Sequence, residues 1–247
     1  MPDIKGIFHV HSDYSYDGRH SLNEIAEYAR RRGYAFVVMT EHSDTFDDNK
    51  MTEYINECRS RSTSDLILIP GIEFSCEGGF HIIGLGISGF ISSSDPVGVV
   101  EAIHSQNGIA ILAHPSRYAY KIAENLLNAM DGIEVWNAVY DGRYVPGHRS
   151  LSFLNNVNKT GYSLLAFGGL DLHKLSELPN IYLTLSDCDL DENAIMHHLR
   201  NGHFTIHNFL FNLKSNRRLS KATLMFICFT HMTYKLLKYF RNRLIPA

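Results

Sequence analysis

Eight short apolar, β-rich runs recur along the chain, with helical patterns filling most of the gaps. They are IKGIFHVH (4–11), AFVVMTEH (35–42), LILIPGIEF (66–74), HIIGLGI (81–87), IAILAHP (109–115), GIEVWNA (132–138), SLLAFGGLDLH (163–173) and IYLTL (181–185). Several are apolar throughout instead of alternating, which is the pattern of parallel strands covered on both faces. The clearest helix, SLNEIAEYARRRG, opens on an S-x-x-E capping box at Ser21 and Glu24 and closes at Gly33. Others are expected over 49–60, 96–106, 119–129, 147–158 and 190–200. Strand and helix alternating in this way predict a parallel α/β barrel, and 247 residues suffice for one.

Composition narrows the setting. Hydrophobic residues make up 45% and charged residues 20%, as in an ordinary globular protein with a full core. The four cysteines are scattered without a C-x-x-C pair, so neither a disulfide framework nor a zinc-thiolate site is expected, and a reducing cytoplasm fits. The N-terminal MPDIKGIF has neither a basic nor an apolar signal region, so no signal peptide is expected. Charge is unevenly spread. From residue 193 onward there are nine Lys or Arg and no Asp or Glu, whereas all 26 acids lie before it. The split predicts a body over 1–211 and a basic amphipathic helical tail over 212–247.

The chemistry lies at the strand ends. His9 and His11 stand at i and i+2, so both imidazoles leave the first strand on one face. Two neutral imidazoles have no reason to attract one another, but a shared metal gives them one. The same spacing recurs late, at Asp171 and His173, and between them fall His42, Glu73, His81 and His114, each at the edge of a predicted strand. The acid after the first histidine pair is Asp17, six residues past His11, with Asp13 as the other choice; Asp17, before Gly18, fits better. In a parallel barrel the strand ends converge on one mouth. Nine nitrogen and oxygen donors exceed what one ion takes and match two or three clustered divalent ions. Such ions acidify water and neutralise charge on phosphoryl oxygens.

The ordered series H-x-H, S-x-D-G, TEH, PGIEFS, a lone His before an apolar strand, AHP and G-x-D-x-H resembles the PHP (polymerase and histidinol phosphatase) superfamily of metal-dependent phosphoesterases, over residues 4–185. The resemblance implies a distorted (β/α)7 TIM-like barrel and a trinuclear site filled by zinc, manganese or iron. It implies that His9, His11, Glu73 and Asp171 hold a first ion. Glu73 would bridge to a second, completed by His81 and His114, and Asp17, His42 and His173 would hold a third. A metal-bridging hydroxide would be the nucleophile, with Glu73, Asp171 and His42 as the catalytic residues. The expected substrate is a phosphate ester of a small metabolite or nucleotide. A 5′–3′ exonuclease acting on short oligonucleotides is the alternative, because no large insertion separates His81 from His114 and the mouth can be open. The competing class is a non-catalytic metal-binding scaffold anchored by its tail; a site with all nine positions filled argues for catalysis.

Other features carry less. Arg117, in AHPSRY, can clamp a phosphate with its planar fork or stand as a surface residue. GLGISG (84–89) fits the dinucleotide fingerprint literally, but a loop follows it where that fold needs a helix. Glu134 and Trp136 read as core or supporting residues, and His20, His104, His148, His197, His198, His203, His207 and His231 are assigned no role. The tail, with Phe226, Phe229, Leu236, Leu237 and Phe240 on its apolar face, can pack on the body or a second subunit, lie on a membrane surface, or meet nucleic acid.

Overall fold

The computed structural model describes residues 3–177 and 181–244, with backbone only for Glu177 and residues 238–244. The side chain of Phe240, placed above on the tail's apolar face, therefore lies outside the described part. Strands and helices follow in the order β1 (Ile4–Val10), α1 (Leu22–Arg31), β2 (Phe36–Met39), β3 (Glu41–His42), α2 (Asp48–Arg61), β4 (Ile67–Ile69), β5 (Gly71–Ser75), β6 (His81–Leu85), α3 (Pro96–Ser105) and β7 (Ile109–Leu112). The remainder are α4 (Glu124–Ala129), β8 (Gly132–Asn137), α5 (His148–Val157), β9 (Leu165–Gly169), β10 (Tyr182–Leu185), α6 (Glu192–Arg200), β11 (Thr205–His207), β12 (Asn212–Lys214) and α7 (Lys221–Leu244).

The strands form two six-stranded mixed sheets, in the orders β12-β11-β10-β1-β2-β4 and β3-β5-β6-β7-β8-β9. Two seams join them. Runs 35–42 and 66–74 each break once, so β2 and β4 pair in the first sheet while their continuations β3 and β5 pair in the second. At the other seam, the Leu170 and Leu172 amides donate to the Phe8 and His9 carbonyls (2.9 and 3.1 Å), and the His11 amide donates to the Leu172 carbonyl (2.9 Å).

The sheets are not parallel throughout, as the sequence had led us to expect. β6 runs antiparallel to both β5 and β7. The cause is the five-residue link Cys76–Phe80, far too short for a crossover, with Gly78 and Gly79 in the left-handed region (φ 74° and 76°). β10 is antiparallel to β1, and β11 and β12 extend that edge antiparallel. Residues 212–214, read from sequence as the start of the tail, therefore belong to the first sheet. The helix expected over 119–129 shortens to α4, because a 3-10 turn occupies Pro115–Tyr118.

Local signals elsewhere hold. Ser21 accepts from the Glu24 amide, and Glu24 accepts from the Ser21 amide (2.9 Å), closing the capping box of α1. β2 and β7 are buried at every residue, as strands covered on both faces must be. Phe8 and Phe167 pack with ring centroids 5.4 Å apart. Each such fully buried aromatic contributes about 1.5–3 kcal/mol relative to exposure.

α7 packs one face on the body through Ile227 and His231, both buried. Its other face leaves Met225, Phe226, Phe229, Met232, Leu236 and Leu237 exposed. Among the described residues, no helix is long and apolar enough to cross a membrane.

Candidate metal centre

The strand ends place nine side chains around one point. β1 delivers His9 and, one residue past its end, His11; the loop that follows brings Asp17. β3 carries His42, β5 carries Glu73, and β7 and β9 are followed by His114 and Asp171 with His173. His81 begins its strand, yet the reversal of β6 brings that beginning to the same end, with His81 opposite Ser75.

Glu73 is the hub. Its Oε1 lies 2.9 Å from both His81 Nδ1 and His114 Nε2. Its Oε2 lies 3.2 Å from His42 Nδ1, 3.5 Å from His9 Nε2 and 3.6 Å from His11 Nε2. Asp171 Oδ1 faces the same two imidazoles, at 3.6 Å from His9 and 3.5 Å from His11. Asp17 reaches His173 Nε2 at 3.1 Å and His42 Nε2 at 3.5 Å, whereas Asp13 is exposed, so the structure brings Asp17 and not Asp13 to the cluster. Among the described residues, four trios have ligand atoms within 4.8 Å of one another: His11, His42 and His173; His9, His11 and Glu73; His9, His114 and Asp171; and Glu73, His81 and His114.

Two observations indicate that these residues fit divalent ions. First, His9 Nε2, His11 Nε2, Asp17 Oδ1, His42 Nδ1, Glu73 Oε2 and His173 Nε2 are buried without a hydrogen-bond partner. Buried polar atoms are rarely left unpaired, and these six face each other. Second, the electrostatics ask for positive charge. Burial disfavours a charged His9, yet Glu134, Asp171 and Glu73 outweigh it and raise the imidazole well above its ordinary value. Glu73 is held well below the ordinary carboxylate range despite its burial, by His9 and by bonds from His114 and His81. Asp171 is lowered the same way, by His9 and His11 against burial. Burial pushes His11 down to about 4, leaving it neutral and able to ligate.

The backbone is strained at the same points. His9, His114 and Asp171 all have positive φ (65°, 28° and 51°). Such conformations cost on the order of 1–3 kcal/mol each and persist where the surroundings impose them. Gly169 shows how tightly: a Cβ there would collide with Glu134 Oε1 and stand 2.7 Å from His9 Cβ.

Behind the cluster stand residues that sequence reasoning passed over or, for Glu134, read as core or supporting. Glu134 is fully buried. Its Oε1 faces His9 Nδ1 at 3.0 Å, and its Oε2 accepts from the His114 amide (3.0 Å) and from Asn137 Nδ2 (2.9 Å). Asn137 Nδ2 also reaches Asp171 Oδ2 at 3.3 Å. Glu41 accepts from the Ser12 and Ser15 hydroxyls (both 2.6 Å), and Ser15 Oγ accepts from the His42 amide (2.9 Å). Burial, opposed by those bonds, pushes Glu41 up to about 7. A carboxylate inside an apolar strand, as in GIEVWNA, was the available signal for Glu134. Ser12, Ser15 and Asn137 carried none.

The mouth is a cavity of about 510 Å³ whose lining includes Tyr16, Arg19, Arg117 and Tyr140. Arg117 Nη1 donates to His81 Nε2 at 2.7 Å, so the fork stands beside the cluster. The Tyr16 ring stacks on His42 (centroids 4.9 Å apart) and is 68% exposed. Several histidines given no role make contacts elsewhere, such as His104 with Asp131 (2.9 Å) and His207 with Asn212 (2.7 Å).

The family model described as the PHP domain matches residues 8–122, which include every cluster residue except Asp171 and His173. Residues 8–122 of this chain match the PHP domain family. No curated protein matches its sequence. Among solved structures, the chain is similar to a two-domain protein from Bacteroides vulgatus containing a predicted PHP-like metal-dependent phosphoesterase, at 17% identity and a TM-score of 0.63, covering 93% of this chain and 70% of that one. It is also similar to PsfC from Pseudomonas syringae (12% identity, TM-score 0.58, 96% and 99% covered). A third likeness is to Endonuclease Q in complex with a 27-mer duplex substrate carrying an abasic lesion (13% identity, TM-score 0.59, 81% and 57% covered). At these identities the likeness shows the fold; the PHP match implies divalent metal and phosphoester chemistry.

Proposed function

We propose that this chain is a hydrolase that cleaves a phosphate ester of a small metabolite or nucleotide at a centre of two or three divalent ions. The observation that carries the reading is the group of six unpaired, buried ligand atoms facing one another. Zinc, manganese or iron held there would supply an activated water at neutral pH and would neutralise charge on phosphoryl oxygens. The residues divide the work. His9, His11, Glu73 and Asp171 would hold one ion, Glu73 with His81 and His114 a second, and Asp17, His42 and His173 a third. Glu73, Asp171 and His42 are the catalytic residues through the ions they would hold, and a metal ligand is seldom free to relay a proton as well. Arg117, beside His81 at the mouth, binds the substrate phosphate. We read the two seamed sheets as the distorted (β/α)7 barrel of the family, the body over 1–211 extended by the edge strand β12 (Asn212–Lys214).

Oligonucleotides are the second reading, supported by the exposed Tyr16 ring at the mouth, on which a base can stack, and by the DNA substrate of Endonuclease Q. A purely structural role fits less well, because no position of the nine is lost. The exposed apolar stripe and basic character of α7 support contact with a membrane surface or a second subunit.

Elemental analysis of the purified protein tests the centre. Two or three ions per chain are expected, falling when His9 and His11 are replaced by alanine. Turnover of mono- and diester substrates by wild type and Asp171→Asn follows. Absence of metal after reconstitution, or equal turnover by the two proteins, would overturn the assignment.

A further inference from the structure

A second cavity of about 450 Å³ adjoins the mouth and shares Val139, Tyr140 and Asp171 with it. One wall is the loop after β8, through Arg143. The opposite wall is α7, through His231, Tyr234 and Lys235, and Leu170 and Leu172 supply apolar surface. The position of α7 is set by packing. Ile227 and His231 are buried, the His231 ring meets His148 edge-on (5.2 Å between centroids), and Tyr234 meets Tyr144 in the same way (5.8 Å).

The cavity's charges separate cleanly. Asp171 is committed to the histidine cluster. Asp141 is turned inward, accepting from the Asn137 amide (3.0 Å) and the Ser150 hydroxyl (3.3 Å), and burial raises its carboxyl to about 7. Burial lowers His231, favouring its neutral form. The remaining charges are the Arg143 guanidinium and the Lys235 ammonium. Among the described residues, no salt bridge joins either to a carboxylate. A planar fork and a point charge beside apolar surface are a phosphate-recognition set. The volume lies within the range of small-molecule sites.

We propose that α7 completes the substrate site, and that Arg143 and Lys235 bind a second phosphate group of the substrate while the ester to be cleaved lies at the histidine–carboxylate centre. The inference rests on the phosphoesterase reading and adds a requirement to it: the preferred substrate carries two phosphates. These are either two monoesters on one small molecule or neighbouring phosphates of a nucleotide strand. Arg143 and Lys235 are specificity residues, remote from the reacting atoms. Their loss acts on binding of the distal phosphate.

The test compares wild type, Lys235→Gln and Arg143→Ala/Lys235→Ala on three probes: p-nitrophenyl phosphate, fructose bisphosphate and a 5′-phosphorylated dinucleotide. In the variants, KM for a two-phosphate probe should rise about tenfold or more with kcat nearly unchanged. Kinetics on p-nitrophenyl phosphate and metal content should stay as in wild type. The probe that responds identifies the source of the second phosphate. An unchanged KM on both, or an equal loss on p-nitrophenyl phosphate, overturns the proposal. Calorimetric binding of the same two-phosphate probes separates this from failure of the phosphoesterase reading. If no probe is turned over, binding that weakens in Lys235→Gln still supports the subsite. Binding that is unchanged, or absent in wild type, overturns it.

Discussion

His9 Nδ1 lies 3.0 Å from Glu134 Oε1, although 125 residues separate the two in sequence. The contact leaves His9 Nε2 facing Glu73 and Asp171. A carboxylate behind a ligating imidazole fixes its tautomer and raises its basicity, and removing such a partner commonly costs about 10–100-fold in metal affinity. Glu134→Gln is therefore expected to fold and to lose metal within that range, measured by competition with a chromogenic chelator. Metal affinity equal to wild type would mean that Glu134 only fills space.

Metal removal should lower thermal stability. The buried atoms of His9, His11, His42, Glu73 and His173 that lack hydrogen-bond partners would gain them from bound ions. Ligand at a hundred times its dissociation constant stabilises by about 2.7 kcal/mol, or about 5–10 °C in Tm for a chain of this size. Scanning calorimetry with and without chelator reads this directly. Coincident curves would speak against ions at this cluster.

Arg117→Ala should raise KM about 10–100-fold for phosphate monoesters and leave the metal count unchanged, because the guanidinium stands at the mouth beside His81. A charged hydrogen bond to phosphate is worth about 1.5–3 kcal/mol. An altered metal count would instead assign Arg117 to supporting His81.

The docking of α7 should weaken in acid. Burial lowers both His148 and His231 below the ordinary 6.5, with Arg149 and Lys235 adding to the effect on His148 and Lys235 and His148 adding to it on His231. A histidine depressed in the fold binds protons more readily when unfolded. Its neutral form thus supports stability fully above about pH 6.5, and that support is lost as pH falls below it. Proteolytic nicking within α7 should rise between about pH 7.5 and 5.5, and His231→Gln should show a shallower rise. Identical profiles would leave the histidine pair without a part in docking.

Much of this was legible in the sequence. The i, i+2 pairs of His9 with His11 and of Asp171 with His173 pointed to the cluster, although regular strand geometry does not hold them: His9 sits at a register shift in β1, and Asp171 and His173 lie beyond β9. The capping box placed α1. The orientation of β6 was misread, though the short Cys76–Phe80 link with two left-handed glycines held the answer in its length. β11 and β12 escaped notice because three residues are too few to show a period. Ser12, Ser15 and Asn137 could not be found, since their roles depend on neighbours that only the fold brings close. The left-handed backbone of His9, His114 and Asp171 was equally invisible, being imposed by packing and not by residue type.

The two seams give the centre a mechanical role as well. His9 and His11 come from the first sheet, while His42, Glu73, His81, His114 and Asp171 come from the second. An ion held jointly by His9 and Glu73 would be a rivet across the joint between the halves. Loaded protein should exchange its amide hydrogens along the Phe8–Leu172 seam as one block, and stripped protein should let the halves breathe independently. The state of the joint would then report whether the catalyst is armed.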